Sequence, residues 1–201
     1  MQLARYAGDL SSIDYLSMLV VDIHGKLRSV SLPRGYITDK VLKHGIGFDA
    51  SNFGYADVHK SDMVAIPDLS TGFVQDRDGF KVLHAFCDVE TTDGRPFDQY
   101  PRTVVRKAVE RLKASGIGDE AKMLVELEFY VFDDVRYSTT TGHSYYFVES
   151  VEGIGEERED APRFGLSKGY HRLAPDDRYA LLRDRAVKAM EDAGIPVKYH
   201  H

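Results

Sequence analysis

Between Met123 and Asp133 the chain reads Met-Leu-Val-Glu-Leu-Glu-Phe-Tyr-Val-Phe-Asp, its most hydrophobic run, and two acids sit inside it. Apolar residues fall at both parities, the pattern of a strand covered on both faces. Residues two apart on a strand point to one side, so Glu126 and Glu128 are expected side by side, roughly 6–7 Å apart at the backbone, with Leu127 opposite. Paired carboxylates in a covered strand need compensation for desolvation and mutual repulsion. A divalent cation, Arg or Lys partners, or a raised pKa would supply it, and hard oxygen ligands favour magnesium or manganese. The run alone leaves a second reading open, a solvated edge with both acids in water and Leu127 alone in the core.

A chain of 201 residues, 43% hydrophobic and 29% charged, suffices for one large domain or two small ones. No apolar run approaches the roughly 20 residues that span a bilayer, and the N-terminus lacks a basic region followed by a hydrophobic segment. Neither membrane nor secretion is expected, and cytoplasm is the default location. Cys87 is the only cysteine, which excludes an internal disulfide and a cysteine-rich zinc site; within an apolar run it reads as a buried, inert thiol. A net charge of -6 with scattered Lys and Arg argues against a nucleic-acid surface.

Tyr15 to Asp22 reads as a strand, His24-Gly25 as a turn, and Leu27 to Leu32 as the returning partner, because Gly25 can adopt the positive φ of a tight reversal. Thr38 caps a short helix that carries Val41 and Leu42 and stops at Gly45. Gly45 to Gly54, glycines and small residues around Asp49, Phe48 and Phe53, has the composition of a loop, and loops carry sites. Met63 to Ile66 and Lys81 to Glu90 read as strands, the second closed by Asp93-Gly94-Arg95-Pro96. The first part, residues 13–99, is therefore expected to be a small sheet with one short helix, an arrangement that fits a β-grasp. Pro101 opens a helix with Val104, Val105, Ala108, Val109 and Leu112 on one face, ending near Gly116, and a second domain is placed over 100–201. Within it Tyr145 to Val148 reads as a strand and the acidic residues 149–169 as a surface loop. Pro175-Asp176-Asp177 starts a helix that ends at Gly194, and Val197 to His201 resembles a strand beginning.

Several ordered blocks now resemble the N-terminal part of a type I glutamine synthetase. Phe48-Asp49-Ala50-Ser51-Asn52 is similar to that family's Phe-Asp-Gly-Ser-Ser loop, and Ser61-Asp62-Met63 with Pro67-Asp68 to its Ser-Asp-Met block. Cys87-Asp88-Val89, Asp93-Gly94 and Pro101-Arg102 stand where the family has a strand, a turn and the helix opening its catalytic domain. Glu126-Leu127-Glu128-Phe129 resembles Glu-Pro-Glu-Phe, and Gly169-Tyr170, Gly194-Ile195 and His200-His201 resemble the run leading into His-His-Glu. Three positions depart from the pattern: Asn52 replaces a serine, His171 stands where a Phe is usual, and Lys198 lies near an expected acid.

The resemblance implies an α+β architecture, an N-terminal β-grasp domain followed by an incomplete catalytic domain. It also implies an ATP-dependent ligase that phosphorylates the side-chain carboxylate of glutamate and displaces the phosphate with ammonia. Glu128 would hold the divalent ion nearer glutamate and ammonia, and Glu126 the one that orients the phosphates. Asp49 would reach a neighbouring subunit's site to bind and deprotonate ammonium, with Asn52 beside it and Tyr170 lining the pocket. Without the resemblance, Asp49 reads as a turn-former. The implied partners are glutamate, ammonia and ATP, magnesium or manganese, and further copies of the chain in a dodecamer of two rings, with no nucleic acid and no membrane. No nucleotide-binding residue is assigned; the Glu after His-His, the later metal ligands, the phosphate arginines and the flap would lie beyond residue 201, which leaves this chain alone inactive. Two alternatives stand beside this reading: a related ligase for another amine, and a non-catalytic half-protein that associates with intact subunits.

Overall fold

The alternation of apolar residues in the first hundred residues is resolved by one sheet. The computed structural model describes residues 2–152 and 169–201. It divides into two units, Met1–Lys122 with Ala189–Pro196 and Met123–Lys188 with Val197–His201. The first contains β1 (Gln2–Arg5), β2 (Tyr15–Val21), β3 (Leu27–Pro33), α1 (Asp39–His44), β4 (Ile46–Asp49), β5 (Asp62–Pro67), β6 (Phe73–Arg77), β7 (Phe80–Thr91) and α2 (Pro101–Ser115). The strands lie in the order β1-β6-β7-β2-β3, with β5 on the far half of β7 and β4 beside β5.

Strand β7 is the seam. Its first half pairs antiparallel with β6 and parallel with β2, and its second half pairs antiparallel with β5. The parallel register sets Leu16 beside Leu83 and Met18 beside Ala85, so alternate residues of both strands share a face. Leu16, Met18 and Val20 of β2, Leu83, Ala85, Cys87 and Val89 of β7 and Met63 and Ala65 of β5 build the core on that face. Ile37 and Leu42, at and within α1, pack against it. The expected hairpin, capped helix and two later strands all form: Thr38 Oγ1 accepts from the Val41 N–H, and Gly45 ends α1 at φ 70°. This is a β-grasp. Strand β1 carries no clear sequence signal, because the first twelve residues are mixed; in β6 the polar Gln75, Asp76 and Arg77 mask a hairpin whose two-residue turn is Asp78-Gly79.

Helix α2 begins with Pro101 at its first position and stops at Gly116, φ 72°, as expected. Most of its apolar stripe stays exposed, with only Val109 and Leu112 half-buried. Val104 and Val105 are 51% and 62% exposed, and only Thr103 is buried. Ion pairs hold the helix instead: Arg102 reaches Asp68 at 2.6 Å and Asp88 at 3.3 Å, and Arg106 reaches Asp88 at 2.8 Å. Asp68 follows β5 and Asp88 lies within β7, so the helix is pinned to the sheet by charge near its N-terminal end.

The second unit contains the hairpin β8 (Asp134–Thr139) and β9 (Ser144–Glu149), and most of α3 (Ala180–Asp192). Here the expectation of a strand over Met123–Asp133 fails. Residues 121–132 form no strand, and the first strand of the unit begins at Asp134. The physical cause is pairing: β8 and β9 close on each other through the turn at Gly142, whereas no described strand lies alongside Met123–Phe132. Helix α3 starts five residues later than Pro175, since the Asp176 and Asp177 N–H groups both bond the Leu173 carbonyl and form a turn. Its Leu181 and Leu182 are exposed. Val197–His201 forms no strand, and most of the acidic stretch 149–169 lies outside the described residues.

Candidate functional site

Asp49 closes β4 and caps the 3-10 turn Ala50–Phe53, its Oδ1 accepting from the Ser51 N–H at 2.9 Å. Hydrogen bonds from the Ser51 hydroxyl and N–H, then from Ser61, hold its carboxyl below the usual carboxylate range, against a smaller opposing effect of burial. Asp49 is exposed, and Asn52 lies exposed on the same turn. The turn-forming role is therefore real, and it leaves an ionised carboxylate on the surface.

The loop around that carboxylate is fixed at several points. Ala50 is fully buried and its N–H bonds the Ser61 carbonyl at 2.8 Å; Phe48 and Phe53 pack edge to face at 5.0 Å. The Phe53 carbonyl accepts from the Ile23 N–H at 3.0 Å. Gly54 sits at φ 76°, and a Cβ there would lie 2.5 Å from Ile23 Cγ2, so the close approach of turn and hairpin requires glycine. Two tyrosines clasp the backbone of Val21: Tyr55 Oη donates to its carbonyl at 2.6 Å, and Tyr100 Oη accepts from its N–H at 3.3 Å. Burial first, then the neighbouring Tyr100 and Asp22, push the Tyr55 hydroxyl up to about 12. Neither tyrosine belongs to a motif. Their partner lies 34 and 79 residues away, a relation that no local pattern carries.

Glu126 and Glu128 do not stand inside a covered strand. Both are exposed in a segment without regular structure, so the expectation of buried paired carboxylates is corrected and nothing forces a counter-charge upon them. As donors they are chemically apt for magnesium or manganese, but they are two. Among the described residues no group of three or more His, Cys, Asp or Glu converges as a metal site. The chain's own residues thus fit such an ion only as part of a larger donor set. Tyr170, 75% exposed, packs against His171 and His201 with ring centroids 4.5 and 4.6 Å away, and the two imidazoles lie 4.3 Å apart. Lys198 Nζ lies over the Tyr199 ring at 5.2 Å. No described helix is long and apolar enough to cross a membrane.

A β-grasp sheet followed by an open second unit, with an acidic turn on the first and paired acids on the second, defines a class that comparison with known proteins identifies. Residues 12–92 match the glutamine synthetase β-grasp domain and residues 98–201 the glutamine synthetase catalytic domain. The chain belongs to the glutamine synthetase family. The glutamine synthetase of Aquifex aeolicus is 31% identical over 193 residues, which is 94% of this chain and 41% of that protein. The 3-hydroxylaminophenol mutase of Cupriavidus pinatubonensis is 32% identical over 199 residues, 95% of this chain and 42% of that one. In fold the chain is similar to the cryo-EM structure of Plasmodium falciparum glutamine synthetase, with a TM-score of 0.83 at 24% identity, over 100% of this chain and 43% of the other. It spans about two-fifths of the length of the curated relatives it matches.

Proposed function

We propose that this chain supplies the β-grasp domain, to about residue 99, and the first part of the catalytic domain, from about residue 100, of an ATP-dependent ligase that joins ammonia to the side-chain carboxylate of glutamate. The observation that carries the reading is the tandem match of both glutamine synthetase domains, in order, over nearly the whole chain. In this reaction the glutamate carboxylate attacks the terminal phosphorus of ATP, ADP leaves, and ammonia then displaces phosphate from the γ-glutamyl phosphate.

Asp49 would bind ammonium at a neighbouring subunit's site, with Asn52 and Tyr170 as oxygen-bearing neighbours. An exposed carboxylate held ionised by Ser51 and Ser61 suits a small cation. The same shift weakens Asp49 as a base, so its environment supports the binding role more than the deprotonating one. Glu126 and Glu128 would contribute two carboxylates to the ligand set of bound magnesium or manganese, which supplies charge neutralisation for phosphoryl transfer. The full-length form would be a ring-shaped homo-oligomer, a dodecamer of two rings by family resemblance, and the chain on its own would be inactive.

The test joins these 201 residues to the remaining C-terminal sequence of the Aquifex aeolicus relative and follows phosphate release. The reading expects release that needs glutamate, ammonia and ATP together and falls at least a hundredfold in Glu128→Ala. Release that ignores either substrate, or that survives Glu128→Ala unchanged, contradicts it. A mutase among the relatives, with Asn52 and His171 as departures, favours one second reading, a related enzyme with a different nitrogen substrate. A panel of amines offered in place of ammonia separates the two.

A further inference from the structure

The face of the β-grasp sheet turned away from the core carries a depression of about 440 Å³ that the proposed ligase chemistry does not use. Strand register builds it. Phe73 of β6, His84 of β7, Ser17 of β2 and Ser31 of β3 lie opposite one another in one row across four strands. Residues two apart share a face, which adds Gln75, Arg77, Leu19 and Ser29 to the lining. Small side chains among large ones make the hollow: Ser17 is 3% exposed at its floor, and Leu3, Leu27 and Phe73 stand around it. No Asp or Glu lines it.

Its charge is therefore one-sided. Arg77 Nη2 donates to Gln75 Oε1 at 3.2 Å, and His84 Nε2 lies 3.0 Å from the same oxygen. A guanidinium and an imidazole converge on one neutral acceptor, where a carboxylate oxygen would be held more strongly. Phe73 stacks on the His84 ring at 4.9 Å and fixes its plane. Burial, then the charge of Arg77, lowers the His84 pKa, which leaves Arg77 to carry the positive charge at neutral pH. Arg28 also lines the hollow but is committed to Asp22 at 2.9 Å. Strands β2, β6 and the first half of β7 are paired on both edges, so they offer no nest of backbone amides for a phosphate. One guanidinium matches one carboxylate. The serine hydroxyls, one to two strand spacings away or roughly 5–10 Å, suit a second polar group, and Leu19 and Phe73 between them suit a short aliphatic body.

We infer that this face binds a small organic acid, its carboxylate on Arg77 and His84, its body over Leu19 and Phe73, and a second polar group on Ser17, Ser29 and Ser31. The inference is independent of the ligase reading. NMR titration of the 201-residue chain with hexanoate tests it by following the imidazole signals of His84. A saturable shift is expected with hexanoate, tighter binding with its ω-hydroxy derivative, and no shift with neutral hexanamide. Arg77→Gln, at an exposed position, should weaken hexanoate binding about tenfold and leave the melting temperature unchanged. His84→Phe keeps a ring against Phe73 and should weaken binding as well, since it removes the second donor. Absence of a saturable shift overturns the inference, as does equal affinity for hexanoate and hexanamide or for the native chain and Arg77→Gln. Preference for inorganic phosphate over hexanoate overturns it too, and so does a dimer through this face in which hexanoate shifts nothing. Because the readout needs no catalysis, failure of the ligase reading leaves this result untouched, and the reverse holds.

Discussion

At the turn between β2 and β3, Asp22 shows how one side chain sets a backbone path. Its Oδ1 accepts from the N–H groups of His24 and Lys26 at 2.9 and 2.8 Å, and its Oδ2 from Arg28 Nε at 2.9 Å, with the carboxylate almost wholly buried. Burial pushes the carboxyl up, but the bonds from Arg28, Lys26 and His24 together outweigh it and leave the pKa below 3.8. A lowered carboxyl means that the unfolded chain binds the proton more readily; the resulting stability is complete above the unfolded value and is lost as pH falls through the folded one. Asp22→Asn should therefore lower the melting temperature at neutral pH and flatten its decline in acid, below about pH 4; an unchanged acid limb would contradict this. Cys87 behaves as its apolar setting suggests: burial above all pushes its thiol up to about 12, which leaves about one thiolate in ten thousand at pH 8. Iodoacetamide should leave the native thiol unmodified and label it fully in denaturant. Gly54→Ala, at φ 76° against Ile23, should cost about 1–2 kcal/mol in urea unfolding and loosen the Asp49 turn.

At the scale of elements, α2 depends on charge more than on its apolar stripe. Arg102 bridges Asp68 and Asp88, partly shielded from water, and its replacement removes two ion pairs at once. Arg102→Ala should cost about 1–2 kcal/mol in urea unfolding, with Arg102→Lys recovering only part, because a single ammonium does not span both carboxylates as a fork does. Full rescue by lysine would show that charge alone matters. Strands β2, β3, β5 and β7 and the helices α1 and α2 were legible because each carries its own period, cap or glycine stop. Strand β1 was not, since its place is decided by pairing with β6 across some seventy residues of sequence; β6 was masked by its polar residues, although it joins β7 through the local two-residue turn Asp78-Gly79. The strand expected over Met123–Asp133 misled for the same reason in reverse: its composition announces a covered strand, but a strand also needs neighbours, and the nearest complementary pair, Asp134–Thr139 with Ser144–Glu149, satisfied itself.

For the whole molecule, the candidate site was legible as two separate pieces. Asp49 was visible through its motif, and its turn-capping bond to Ser51 is an ordinary consequence of an Asp two residues before a free N–H. Glu126 and Glu128 were visible through their spacing, while their exposure was not, because burial depends on chain that must pack against them. Isothermal titration of manganese into the chain alone should accordingly show only weak binding, since two exposed carboxylates make a small donor set. The central claim is that the two pieces belong to one ligase site shared between subunits, with Asp49 supplied by a neighbour. The direct measurement is phosphate release by mixed rings reassembled from two inactive joined polypeptides, one carrying Asp49→Ala and the other Glu128→Ala. Some interfaces then pair an intact Asp49 with an intact Glu128, and the account predicts partial return of activity; no return, in rings shown to contain both chains, would contradict it.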